Sequence, residues 1–157
     1  MIMNDDVLLA DAVTTAIRHI GIGTYSSGKI YTYLQQKGYP SAVCRLAVIE
    51  VTNRGYIDDF KAANKVIRSR TGNKQESKYY LAQRLKNAGI NSTIIDSVIS
   101  EIDNDTVTCI RLFDSSFLTN NSDDSYALYS DAMKLASKRG YTLEVASNAF
   151  SIWLKNK

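Results

Sequence analysis

The feature that most constrains this chain is a glycine that returns every 51 residues. "YLQQKGYPSAVCRLAVIEV", "RLKNAGINSTIIDSVISEI" and "LASKRGYTLEVASNAFSIW" align on Gly38, Gly89 and Gly140, with the same interval of 51 both times. The likeness runs past the glycine. Four residues before it stand Leu34, Leu85 and Ala136, and directly after it Tyr39, Ile90 and Tyr141. Five and six places after come Val43-Cys44, Ile94-Ile95 and Val145-Ala146, and thirteen after come Val51, Ile102 and Trp153. These offsets put one apolar stripe on a helix before the glycine and another on a helix after it. Glycine ends the first helix by entering positive φ without a Cβ penalty. Caps for the next helix follow: Ser41 beside Pro40, Asn91 or Ser92, and Thr142.

A further amphipathic segment precedes each pair: about Asp6 to Ile20, Asp59 to Arg70, and Thr106 to Leu118. The third is the least regular. The loop "TNNSDDS", 119 to 125, then caps the next helix. Proline occurs once, at Pro40, and no useful length of β-type alternation exists. The expected fold is therefore all-α: three tandem three-helix repeats, at 1–56, 57–105 and 106–157. Three short helices bury little alone, so neighbouring repeats should stack into an elongated, curved array.

Composition removes several classes of function. No apolar run approaches the ~20 residues of a membrane span, and the acidic start Met-Ile-Met-Asn-Asp-Asp does not read as a secretory signal. Cys44 and Cys109 have no second sulfur nearby in sequence, so they read as buried free thiols of a reducing cytoplasm. His19 is the only histidine, which removes most general acid–base and zinc schemes. No nucleophile elbow or Cys–His pattern is present. The chain reads as a non-enzyme with no catalytic residue, no metal site and no cofactor.

Charge is segregated rather than large. Residues 61 to 90 carry Lys61, Lys65, Arg68, Arg70, Lys74, Lys78, Arg84 and Lys86 against Glu76 alone. Residues 91 to 132 carry eight acids, Asp96, Glu101, Asp103, Asp105, Asp123 and Asp124 among them, against Arg111 alone. A pattern of this kind suits a molecule with one face for a polyanion; a solvated helix face is the competing reading. Lys61, Lys65 and Arg68 follow helical spacing and share a face. Lys74 and Lys78 fall at the start of the next helix, where cations are unfavourable unless something offsets them. Phosphate oxygens of single- or double-stranded DNA would do so. Tyr79 and Tyr80 lie beside this patch and either stack on a base or pack. Lys134, Lys138 and Arg139 make a second basic set at helical spacing, and Lys37 ends the corresponding helix of the first repeat.

The sharpest short motif is "RGYIDD", residues 54 to 59. Adjacent carboxylates on a helix point about 100° apart and make a poor metal cage. At a helix start they accept bonds from free backbone N–H groups. The stretch reads as a joint: Gly55 ends one repeat, Tyr56 and Ile57 pack across the boundary, and Asp58 or Asp59 starts the next. Asp105 and Asp123 read as further caps.

Taken in order, Ser26-Ser27, Leu34-Gln35-Gln36-Lys37-Gly38-Tyr39, Arg54 through Asp59, Arg70-Thr71-Gly72 and Leu85 through Gly89-Ile90 resemble the RecX regulators of bacterial recombination. The resemblance covers about residues 10 to 155. The chain departs from that pattern at Gly28-Lys29-Ile30 and Lys61-Ala62-Ala63. It implies a cytoplasmic regulator without a catalytic centre, acting in DNA repair, recombination and the SOS response. Its implied partner is the RecA recombinase filament on DNA, with no membrane. Short repeat units favour a monomer over a coiled-coil dimer. The runner-up is a helical nucleic-acid-binding or transcriptional module, and a protein-only adaptor is the third class.

Overall fold

The computed structural model describes residues 4–117 and 124–157. Among them lie nine α-helices: α1 (Asp5–Ile20), α2 (Ser27–Gln36), α3 (Ser41–Asn53), α4 (Asp59–Arg68), α5 (Lys78–Asn87), α6 (Ser92–Ser100), α7 (Asp105–Ser116), α8 (Ser125–Lys138) and α9 (Leu143–Lys155), with one 3₁₀ turn at Gly72–Lys74. No strand occurs among the described residues, and the fold is all-α as expected. Leu118, the expected cap Asp123 and the first part of the 119–125 loop lie outside those residues. The chain divides into two compact units, Met1–Asn64 with Leu85–Asp96 and Lys65–Arg84 with Ser97–Lys157.

In the first unit α1, α2 and α3 pack on one another. Ala12, Ala16, Ile30, Leu34, Cys44, Ala47 and Val51 lose all exposure. The three alanines let α1 and α3 approach closely, while a fully buried leucine such as Leu34 adds about 1.5–3 kcal/mol. In the second unit α7, α8 and α9 enclose an aromatic core. Phe113 meets Phe150 edge-on at 6.2 Å and Trp153 at 6.0 Å. This packing settles α7, the helix whose sequence pattern is least regular. Both cysteines are free and buried, and burial pushes the Cys109 thiol up to about 12.

Local geometry recurs with the 51-residue spacing. The amides of Tyr39, Ile90 and Tyr141 donate to the carbonyls of Leu34, Leu85 and Ala136 at 3.2, 3.1 and 3.0 Å. This is the bond that closes a helix over a left-handed glycine. Contacts between non-adjacent segments recur too. In the first unit the Ser26 hydroxyl donates to the Ala88 carbonyl at 2.6 Å, and in the second the Ser77 amide donates to the Arg139 carbonyl at 3.0 Å. Both members of the second pair stand 51 residues beyond those of the first.

Gly140 is the position where this close approach costs most. Its φ is +90°, and a Cβ there would lie 2.5 Å from the Tyr80 ring and 2.6 Å from Ser77 Oγ. Gly140→Ala is expected to destabilise the protein by about 2 kcal/mol, combining backbone strain with overpacking. Gly38→Ala meets no atom within 4 Å and so carries the backbone term alone. Urea unfolding of the two variants checks this, and equal losses would contradict the packing component.

"RGYIDD" is a joint, but its two aspartates divide the work. Asp58 caps its own helix, with Oδ1 accepting from the Lys61 amide at 3.1 Å. Asp59 turns away from α4 and caps α2. Its Oδ1 accepts from the Ser27 amide at 2.7 Å, and its Oδ2 from the Ser27 hydroxyl at 2.6 Å and the Asn91 amide at 3.4 Å. Asp59 is only 8% exposed. Ile57 is buried as expected, whereas Tyr56 is exposed, because only one of two adjacent side chains can face the core there. Ser41 likewise does not cap α3. Pro40 occupies that position without a side-chain bond, since its preset φ already suits a helix entrance. Asn91 and Thr142 cap as expected, accepting from Thr93 and Val145.

Candidate functional site

The basic residues of the second unit are positioned by a short segment between α4 and α5. After Arg68 the chain leaves the helix, and Gly72 at φ +63° turns it into the 3₁₀ turn that ends at Lys74. Gln75, Glu76 and Ser77 then pass through the interior, at 8%, 3% and 0% exposure. Three polar residues survive burial because each is satisfied. The Gln75 side-chain amide donates to the Glu76 carbonyl at 3.0 Å. Glu76 takes both arms of Arg84, at 2.5 and 2.9 Å. Ser77 Oγ accepts from the Tyr80 amide at 3.2 Å and caps α5.

Lys78 opens α5 with no acid in that helix's own first turn. The offset comes from elsewhere: Asp105, at the start of α7, accepts from the Lys78 amide at 2.9 Å. Asp105 therefore serves α5 as Asp59 serves α2, and Ser27 and Lys78 are 51 residues apart. α7 itself is capped by Asn104, which accepts from Val107 at 3.0 Å, so Asp105 does not cap its own helix. Asp124 caps α8. A carboxylate beside a helix N-terminus satisfies a free N–H and the positive dipole end together.

The two basic sets meet at one contact. The Arg139 guanidinium donates to the Asn73 carbonyl at 3.0 Å, and the Arg139 carbonyl accepts from Ser77. Lys74 and Lys138 are each one residue from that contact and both are exposed; Lys78 is half-buried. Lys134 is exposed one turn earlier on α8. Lys65 and Arg68 are exposed on α4, and Arg70 is half-buried after it. Lys61 and Lys86 are exposed and belong to the first unit.

Pairing separates binding candidates from scaffold. Of the eight bases between 61 and 90, only Arg84 has an ion-pair partner among the described residues. Hydrogen bonding to Glu76 raises the Arg84 pKa further, which holds the guanidinium charged and committed. Arg84 and Arg139 are thus framework residues of the segment that presents Lys74, Lys78 and Lys138. Tyr79 is 67% exposed beside them, while Tyr80 lies over Gly140. The framework roles of Glu76 and Asp105 leave no mark in the sequence, because their partners are 8 and 27 residues away.

Among the described residues no group of three or more His, Cys, Asp or Glu side chains could hold a metal ion, and no helix is long and apolar enough to cross a membrane. The chemistry on offer is that of unpaired ammonium and guanidinium groups for an anionic surface.

No family model matches the chain. It is 30% identical over 115 residues to "Regulatory protein RecX" of Chlorobium phaeobacteroides, covering 73% of this chain and 76% of that one. The protein of the same description from Legionella pneumophila (strain Corby) is 27% identical over 143 residues, covering 90% and 94%. In three dimensions the chain is similar to the crystal structure of RecX from Lactobacillus salivarius, with a TM-score of 0.74 at 9% identity, covering 96% of this chain and 99% of that one.

Proposed function

Because this chain belongs to the RecX family of regulatory proteins, we propose that it regulates recombination by binding the RecA filament on DNA. The observation that carries this reading is the set of exposed or half-buried bases, without ion-pair partners among the described residues, gathered around the Asn73–Arg139 contact. Unpaired ammonium groups at that density neutralise phosphates and release counterions, and they equally meet acids on a protein surface. The protein acts in the cytoplasm as a monomer of three tandem repeats, without catalysis of its own. Lys65, Arg68 and Arg70 of the same unit extend the contact, to single- or double-stranded DNA; Lys61 and Lys86 of the first unit are further candidates.

The test is RecA-dependent ATP hydrolysis and strand exchange with the purified protein added well below stoichiometry. A filament regulator is expected to change both rates at those amounts. Change only as the protein saturates DNA would replace the proposal with a plain nucleic-acid-binding module. No change at any amount would leave a protein-only adaptor.

A further inference from the structure

The first unit holds a second cluster of cations that the reading above does not use. Thr15, Arg18, His19, Tyr33, Lys37 and Tyr39 line a cleft of about 510 Å³. Arg18 and His19 come from the last turn of α1, and Lys37 closes α2. All three are exposed, and none makes an ion pair among the described residues.

The aromatic walls are fixed. His19 stacks on Tyr33, with ring centres 3.6 Å apart and planes 9° from parallel, and Tyr25 lies 5.1 Å from His19. Lys37 Nζ sits 5.4 Å from the centre of the Tyr33 ring. The Tyr39 hydroxyl donates to Asp11 Oδ2 at 2.6 Å and lies 2.9 Å from Thr15 Oγ1. Burial first, and then Asp11, push the Tyr39 phenol above its ordinary value, so it stays neutral and keeps Asp11 engaged.

We propose that this cleft binds a phosphate group, with Arg18 and Lys37 supplying permanent charge and the His19 ring forming part of its wall. Helix dipoles favour a cation at each of these two C-termini, yet they do not require three such side chains to converge on one cleft. Each of the two helix C-termini also brings about half a negative charge. Arg18 and Lys37 therefore leave a balance of about one positive charge. Tyr25 and Tyr33 pack against the His19 ring, and Arg18, Lys37 and Tyr39 line the same cleft. Tyr33 is already occupied by His19 and Lys37, so recognition is of phosphate oxygens rather than of a stacked base.

His19 is the chain's only histidine, so its imidazole gives a single set of NMR signals for the whole protein. The probes are inorganic phosphate, a short 5′-phosphorylated oligothymidylate, and chloride, each at matched ionic strength. Both phosphate probes are expected to move the His19 signals saturably and chloride is not. The double substitution Arg18→Gln, Lys37→Gln is expected to weaken binding about tenfold. Saturation by the oligonucleotide far below inorganic phosphate assigns the source as a nucleic-acid backbone, and equal saturation assigns free phosphate; both support the site. Equal movement by chloride, or unchanged titration in the double variant, overturns it. These measurements contain no recombinase, so their outcome is separate from that of the filament assay.

Discussion

Changing Lys74, Lys78, Lys134 and Lys138 together to Gln is expected to weaken binding to single-stranded DNA about a hundredfold at low salt. Gln keeps much of each stem and removes only the charge. The diagnostic quantity is the salt dependence. Each phosphate contact contributes a slope of about −0.7 on a plot of log affinity against log salt for single strands, so losing four contacts flattens it by nearly three. Fluorescence anisotropy over a range of potassium chloride concentrations measures both numbers. A slope equal to that of the wild-type chain would place the DNA contacts elsewhere. Arg84→Gln is the informative control. It leaves Glu76, at 3% exposure, without its bidentate partner. The expected result is a loss of stability of about 2–3 kcal/mol with little change in salt slope, since Arg84 is already committed within the protein.

The second large effect is on folding. Asp59→Ala is expected to destabilise the protein by about 3 kcal/mol. It strips the Ser27 amide and hydroxyl of their acceptor and removes the weaker bond from Asn91. Asp58→Ala, one residue away, removes a surface N-cap and should cost about 1 kcal/mol. Asp59→Asn keeps one acceptor oxygen and is expected to fall between the two, with regulatory activity retained. Urea unfolding of the three variants gives the order. Asp58→Ala as the more damaging change would contradict the assignment of Asp59 as the bond between α2, α4 and α6.

These two predictions concern residues that the sequence treats very differently. The lysines are legible without coordinates, because one-sided charge survives in a linear listing. The committed arginines are not. Arg84 reads as one more base of the patch until Glu76 is seen buried eight residues earlier, on a segment with no helical periodicity. Arg139 reads as a helix-terminal cation, and its guanidinium turns out to donate to a carbonyl 66 residues away. The cleft around His19 is hidden for the same reason. Arg18 and Lys37 each look like an ordinary cation at a helix end, and their convergence depends on how α1 packs against α2.

By itself the sequence determined the helices, the glycine turns and most of the core, though not that Tyr56 stays outside it. Those depend on interactions within a few residues and on apolar spacing, which repeats with a period of 51. Tertiary structure alone decided which carboxylate caps which helix. Asp59 and Asp105 could each have capped the helix they begin. Both instead face the first amide of a helix earlier in the chain, because packing brings that positive helix end against them. Asp58 and Asn104, one place earlier in each case, are left to cap at home. Neighbouring positions in the chain thus serve different helices, and only the packed fold says which.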